Sequence, residues 1–309
     1  MLNALTIDVE DYFQVHAFQS VISRASWHGY ATRVVANTER ILALLATHDV
    51  RATFFILGWV AERYPDLVRA IAEHGHEIGT HGYWHELVYR QTPTTFAEDL
   101  EQSITAITDA VPTAVIAGYR APSFSITQQS LWALDVLADH DLRYDSSIFP
   151  IAMHDRYGIS GASRFANRLP SGLWEFPTST VQLGKSNIPV AGGGYFRLYP
   201  RWVTERAIRH LNRQGHPAVI YLHPWEFDPA QPRIVNAPRL SRLRHYVNLT
   251  RTEERLRYLI ERYRFGPMVE VFAKELADPE GRSTAYRVAS PGQGMSAVAG
   301  ASVSDYAAP

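Results

Sequence analysis

Asp8-Val9-Glu10-Asp11 closes the first apolar run of the chain, and His81-Gly82-Tyr83-Trp84-His85 follows a later one. One carboxylate and two imidazoles make a three-ligand metal site with a position left open. A second carboxylate then remains as a general base, and such a set can activate water against an amide or ester. Side chains alternate along a strand, so Asp8 and Glu10 share a side. That favours Glu10, with His81 and His85, as metal ligand and Asp8 as base; Asp11 is the rival to Glu10. Three carboxylates this close repel one another unless a cation or an arginine sits among them. His81 and His85 lie four apart, and in a helical turn both rings would project from one face. A metalloprotease carries Glu directly after the first His, where Gly82 stands here, so the base must come from elsewhere. Among thirteen histidines such a pair also arises by chance, but the preceding strand, Gly79 and Gly82 favour a site.

Two further segments offer matching chemistry. Arg120-Ala121-Pro122-Ser123-Phe124 follows Gly118-Tyr119, and a rigid Arg-x-Pro turn can fix a guanidinium beside a carboxylate. A solvated surface arginine is the commoner fate of such a turn, though not directly after a buried strand. His223 ends the β-prone run Ala218-Val219-Ile220-Tyr221-Leu222 and is a candidate general acid rather than a core histidine. Gly192-Gly193-Gly194-Tyr195-Phe196 brings aromatic groups to a rim; without a following Lys-Ser/Thr or GxGxxG spacing it is no phosphate loop.

The elements that must position these groups alternate in type. Strands are expected over 5–9, 52–57, 77–80, 115–119, 174–177, 218–222 and 268–272. Between them, helical spacing recurs at Val34, Ile41, Leu42 and Leu45; at Leu67, Val68 and Ile71; at Phe96, Leu100, Ile104 and Ile107; at Leu131, Leu134 and Leu137; over 202–211; and over 253–263. The alternation implies an α/β fold with a parallel sheet. Asp8, His81, Arg120 and His223 all fall at or just past strand C-termini. In a (β/α) barrel those ends share one face, so a distorted barrel of about seven parallel strands is expected. An aromatic-rich stretch over 11–32 interrupts the pattern, and 224–249, with four prolines, reads as a long ordered loop. Residues 1–278 form one domain in this reading, with 224–278 as an extension packed on the barrel. Residues 279–309, poor in large apolar groups, read as a mostly disordered tail.

Composition narrows the partners. Thirty basic against thirty-one acidic residues give a formal charge of -1, with no polybasic block, so nucleic acid and anionic membranes are poor candidates for the main partner. There is no cysteine, which excludes disulfides and thiolate metal sites and leaves His, Asp and Glu to hold any metal. No apolar stretch is long enough to span a bilayer. The N-terminus reads as a strand rather than a secretory signal. A cytoplasmic location is therefore expected, with the periplasm as the alternative.

Taken in order, Thr-Ile-Asp-Val-Glu-Asp at 6–11, Thr-His-Gly-Tyr-Trp-His at 80–85, Arg-Ala-Pro-Ser-Phe at 120–124 and Leu-His at 222–223 resemble the polysaccharide deacetylase family. That family is also described as NodB-homology, or carbohydrate esterase family 4. The fit is closest to the branch associated with bacterial exopolysaccharide production. The resemblance covers roughly residues 1–275. It implies a metal-dependent hydrolase that removes N-acetyl groups from hexosamine units of a polysaccharide. Asp8 would be the base, Arg120 its orienting partner and His223 the acid. A divalent metal, zinc first and cobalt or another ion second, would sit on Glu10 (or Asp11), His81 and His85. A backbone N–H near Phe124 would hold the oxyanion. Most of the family carries adjacent aspartates in the first motif, whereas Asp-Val-Glu-Asp stands here. Trp174 is the candidate for the family's tryptophan motif. Phe124, Tyr195, Trp174 and Trp225 are the expected substrate contacts, with Tyr12, Phe13 and Trp84 as further stacking candidates. Two other readings stay open: a metal-independent, allantoinase-like amidase acting on a small ureide, and a non-catalytic carbohydrate-binding relative.

Overall fold

The computed structural model describes residues 1–151 and 158–277; the tail expected over 279–309 lies outside the described residues. In chain order the strands are β1 (Leu2–Val9), β2 (Thr53–Ile56), β3 (Glu77–Thr80), β4 (Gly118–Tyr119), β5 (Tyr144–Asp145), β6 (Asn167–Arg168), β7 (Trp174–Glu175), β8 (Thr180–Leu183), β9 (Ser186–Pro189), β10 (Val219–Leu222) and β11 (Arg264–Gly266). The helices are α1 (Val34–Thr47), α2 (Gly58–Arg63), α3 (Pro65–Glu73), α4 (Pro93–Ala110), α5 (Trp132–Asp139), α6 (Gly193–Leu198), α7 (Arg201–Arg213), α8 (Arg239–Tyr246), α9 (Thr252–Ile260), α10 (Met268–Val271) and α11 (Ala273–Ala277).

The main sheet runs β10-β1-β2-β3-β4-β5-β7-β6, with β11 branching onto β1. Every pairing from β10 round to β7 is parallel, and only β6 is antiparallel. Seven parallel strands therefore line the path of a distorted (β/α) barrel, as expected. β1 is paired to β10, β2 and β11, and is buried along nearly its whole length. A strand covered on both faces must be almost continuously apolar, which is why polar Asp8 at its end stands out.

Helices α1 and α4 each bury one apolar stripe. In α1 the buried face is Val34, Ile41, Leu42, Leu44 and Leu45 with Asn37 and Thr38; in α4 it is Phe96, Leu100, Ser103, Ile107 and Ala110, with one charged residue, Asp99, among them. The stretch over 11–32 folds its aromatics inward. Tyr12, Phe13 and Trp27 are buried, and Phe13 stacks on Tyr30 at 5.4 Å.

The barrel is not closed by a direct β7–β10 ladder. Instead Val219 N donates to Ser179 Oγ at 2.8 Å, Tyr221 N donates to Ala191 O at 3.0 Å, and Gly192 makes a parallel bridge to Tyr221. The approach is so close that a Cβ at Gly192 would stand 1.8 Å from the Tyr221 carbonyl oxygen.

Three expectations need correcting. The run over 268–272 is not a strand: Met268–Val271 is helix α10. The lower edge of β1 is already paired by β11, so this backbone has no ladder to join. Its first N–H groups are taken instead by side chains, Met268 N by Thr53 Oγ1 at 2.8 Å and Val269 N by Glu77 Oε2 at 3.1 Å. The strand expected over 115–119 is reduced to Gly118–Tyr119, with Val115 exposed to solvent. Within 224–249 lie a 3₁₀ turn, Pro224–Phe227, and helix α8, so the prolines bound elements rather than mark one loop.

Because the Gly192 contact is to backbone, which cannot swing aside, Gly192→Ala should overpack the seam and cost about 1–3 kcal/mol. Thermal unfolding of the two proteins checks this; an unchanged midpoint would mean the seam is not held here.

Candidate active site

Asp8, Glu10, His81, Phe124, Tyr195 and His223 line one cavity of about 550 Å³ at the C-terminal ends of the strands, together with His85 and Trp225. Three of these converge most tightly. One ligand atom each from Glu10, His81 and His85 lies within 4.8 Å of the others, and all three residues are buried. His85 Nε2 stands 2.6 Å from Glu10 Oε2.

The local backbone explains how His81 and His85 meet. Residues 81–85 form an irregular turn rather than the helical turn expected, with Gly82 at φ 72° and His85 at φ 52°. Asp99, on α4, accepts from Tyr83 N at 2.7 Å and Trp84 N at 3.0 Å, pinning the turn from beneath. Only glycine fits at 82, since a Cβ there would stand 2.7 Å from Asp99 Oδ2. The His81–His85 ring centroids end up 5.4 Å apart.

The donor set suits a divalent cation. His81 Nδ1 donates to Arg120 O at 2.7 Å, which fixes the tautomer and leaves the Nε2 lone pair for a ligand. Burial pulls the His81 pKa down to about 4, against the opposing charges of Asp8 and Glu10, so the ring is neutral as a ligand must be. Burial alone would raise the Glu10 carboxyl, but His85, His223 and His81 outweigh it and bring the pKa down to about 2. Among the described residues Glu10 Oε2 meets only His85 Nε2, and His85 Nδ1 is buried without a hydrogen-bond partner. A buried carboxylate oxygen crowded onto a ring nitrogen, beside a second imidazole, fits an ion-binding role. Trp225 Nε1 donates to Glu10 Oε1 at 3.0 Å and so orients the other carboxylate oxygen.

Asp11 stands elsewhere. Its Oδ2 accepts from Arg33 N at 2.7 Å and Val34 N at 2.9 Å, and its Oδ1 from Tyr12 N at 2.8 Å. It caps the start of α1 and lies outside the Glu10–His81–His85 group. The alternative ligand is thus spent on backbone.

On the other side of the cavity floor, Arg120 Nη1 donates to Asp8 Oδ1 at 2.8 Å. The guanidinium is fully buried and also donates to Thr6 Oγ1 at 2.5 Å, Ser146 O at 3.1 Å and Ser146 Oγ at 2.8 Å. Lysine could not serve four acceptors in one plane. His223 Nε2 lies 3.8 Å from Asp8 Oδ2 and 3.7 Å from Glu10 Oε1. Its Nδ1 donates to Glu226 Oε2 at 3.1 Å, and Glu226 in turn is held by Arg197 Nε at 2.7 Å. Burial works against protonating His223, yet the Glu226 bond and charge, with Glu10 and Asp8, push its pKa up to about 9.

Asp99, Glu226 and Arg197 were not among the expected site residues. Asp99 had a signal, a lone charge on the apolar stripe of α4. Glu226 lies three after His223, but Arg197 reaches it through a fold contact with no trace in spacing. The aromatic expectations divide. Phe124, Tyr195 and Trp225 line the cavity, with Trp225 Nε1 committed to Glu10, but one expectation fails. Trp174 is not at the cavity: it lies on β7 and stacks on Phe176 at 6.1 Å. Tyr12 and Phe13 are core, and Trp84 lies outside the cavity lining.

Residues 28–144 match the family model for polysaccharide deacetylase. The chain carries a polysaccharide deacetylase domain. Residues 146–273 match a second model, described only as a domain of unknown function, DUF3473. The deacetylase match contains His81, His85 and Arg120, the second contains Arg197, His223 and Glu226, and Asp8 and Glu10 precede both. The site is therefore assembled from three stretches. Among similar proteins, the chitooligosaccharide deacetylase of Bradyrhizobium sp. (strain ANU 289) is 33% identical over 101 residues, 33% of this chain and 43% of that one. The peptidoglycan deacetylase of Helicobacter pylori is 30% identical over 109 residues, 35% of this chain and 36% of that one. Each match thus spans less than half of the relative's length. A crystal structure from Mycobacterium smegmatis, provisionally described as a polysaccharide deacetylase, shares the fold with a TM-score of 0.55 at 20% identity, covering 88% of this chain and 90% of that one.

Asp99→Ala frees the Tyr83 and Trp84 amides and should loosen the turn that presents both imidazoles. Zinc affinity, measured by titration on protein whose circular dichroism is unchanged, should fall about 10–100-fold. Equal affinity would mean Asp99 does not position the ligands.

Proposed function

We propose that the protein hydrolyses N-acetyl groups from hexosamine units of a polysaccharide with the help of a divalent cation, and that the polymer is a bacterial exopolysaccharide. The observation that carries this reading is the confluence of Glu10, His81 and His85 beside a buried Asp8–Arg120 pair, with His223 facing both. The relatives named for chitooligosaccharide and peptidoglycan deacetylation support the substrate class.

Glu10, His81 and His85 would hold the ion. When bound, zinc or a similar cation polarises an acyl oxygen and lowers the pKa of water from 15.7 to about 7. Asp8 supplies the base. Its Oδ1 is held by Arg120, so Oδ2 is the oxygen directed at the cavity and takes the proton from attacking water. Arg120 fixes the orientation of that carboxylate and offsets its charge.

His223 supplies the acid. With Nδ1 committed to Glu226, Nε2 is the atom that hands a proton to the departing sugar amine. Without that proton the amine is a poor leaving group, and an acid so placed contributes roughly 10²–10⁴-fold.

The N–H expected near Phe124 to hold the oxyanion is not that of Phe124 itself. Phe124 N already donates to Ala121 O at 3.0 Å. Ser123 lines the cavity and sits at φ 53°, a left-handed conformation that a non-glycine residue rarely adopts. Its N–H is the better donor for a developing oxyanion.

A metal-free ureide amidase would have no use for the Glu10–His81–His85 group. A simple carbohydrate binder would need neither Asp8–Arg120 nor His223–Glu226.

Acetate release from N-acetylglucosamine oligomers and acetylated exopolysaccharides, with and without chelator and added zinc or cobalt, tests the reading. Activity that chelator abolishes and metal restores is expected; chelator-insensitive acetate release would remove the cation from the mechanism, and no acetate release would favour the ureide amidase or the binder. Asp8→Asn should retain zinc yet lose turnover, whereas His81→Ala should lose the zinc itself, as read by elemental analysis. His223→Ala should lower kcat by roughly 10²-fold or more with metal content unchanged; wild-type turnover would assign the acid elsewhere.

A further inference from the structure

Exposed large apolar side chains are few among the described residues, and five of the nine lie in one region of the second half: Leu198, Trp202, Val235, Leu240 and Leu243. Leu240 is 56% exposed, Leu243 64% and Trp202 63%. These residues belong to neighbouring pieces of chain. Arg197, at the end of α6, donates to the carbonyls of Arg244, His245 and Val247 and so ties α6 to the end of α8. Arg242 donates to Val235 O at 3.0 Å, which ties the preceding loop to the same helix. Trp202 stands in the first turn of α7, four residues after Leu198.

The charge of this region is as unusual as its apolarity. Between residues 229 and 252 there are five arginines, Arg233, Arg239, Arg242, Arg244 and Arg251, and no Asp or Glu, in a chain whose formal charge is -1. Neither Arg239 nor Arg244 has an acidic partner among the described residues. Exposed leucine and tryptophan interleaved with unneutralised arginine are the composition of a surface that enters the headgroup layer of a membrane. An anionic bilayer attracts the arginines while the apolar side chains leave water. A second copy of the chain is a poorer occupant, because a self-complementary contact would bring like charges together.

We propose that α8 and the adjoining end of α6 and start of α7 form a docking surface for an anionic lipid bilayer. Leu198, Ser241 and Arg244 also line the active-site cavity, so docking sets the cavity mouth beside the lipid surface. This surface stands on exposure and charge and does not depend on the proposed chemistry.

Co-sedimentation with vesicles of neutral phosphatidylcholine, and of the same lipid with a third phosphatidylglycerol, tests the proposal on the full chain. Binding is expected to the anionic vesicles, weakened by salt because the contact is partly electrostatic. Arg239→Gln should lower partitioning roughly fivefold. The double variant Leu240→Ser, Leu243→Ser should lower it at least as far, while turnover on soluble oligomers stays at the wild-type level. Absence of binding to either vesicle would overturn the proposal. So would a wild-type dimer in sedimentation velocity that the double variant converts to monomer, since the patch would then be a self-contact.

Discussion

Two carboxylates, Asp8 and Glu10, stand two residues apart at the end of a strand from which water is almost wholly excluded. In such surroundings an uncompensated charge cannot persist, so each must meet its own cation. Asp8 meets Arg120, which also donates to Thr6 and Ser146 in the barrel floor. Glu10 meets the imidazole side, where His85, His81 and His223 all bear on it. The division gives two carboxylates of like chemistry two different roles: one is locked to a permanent guanidinium, the other is left with an oxygen turned toward two ring nitrogens. Removing Arg120 would leave a buried charge at a cost of about 3–5 kcal/mol, so the pair serves stability and site geometry together.

The rest of the architecture follows from holding these groups at fixed depth. β1, flanked by β2 and β10, presents Asp8 between Arg120, which follows β4, and His223, which follows β10. The region after residue 146 is part of the same requirement. It carries β10, supplies His223, Glu226 and Arg197, and brings Trp225 to Glu10. The stretch matched as a polysaccharide deacetylase holds His81, His85 and Arg120 but not Asp8, Glu10 or His223. In the proposed chemistry the segment of undefined function completes the cavity.

Much of the site was legible in the sequence because its parts obey local rules. Polar residues at the ends of apolar strands are conspicuous, and strand alternation favours Glu10 over Asp11. The backbone bonds that consume Asp11 depend on where α1 begins, which spacing could only suggest. The helical turn assumed for His81 and His85 failed because Asp99, fourteen residues further on, replaces helix hydrogen bonds with its carboxylate. The run over 268–272 has the composition of a strand, but strand or helix there depended on whether an unpaired edge remained, and β11 had taken it. Trp174 was misplaced for a similar reason. A tryptophan beside a glutamate at a strand carries no mark of which face it will occupy.

A zinc-soaked crystal examined by anomalous diffraction on both sides of the zinc absorption edge tests the central claim most directly. A single strong zinc peak per chain is expected, bonded to a Glu10 oxygen and to one nitrogen each of His81 and His85, with Asp8 still on Arg120. A peak on Asp11, on Asp8, or on surface histidines alone would contradict it.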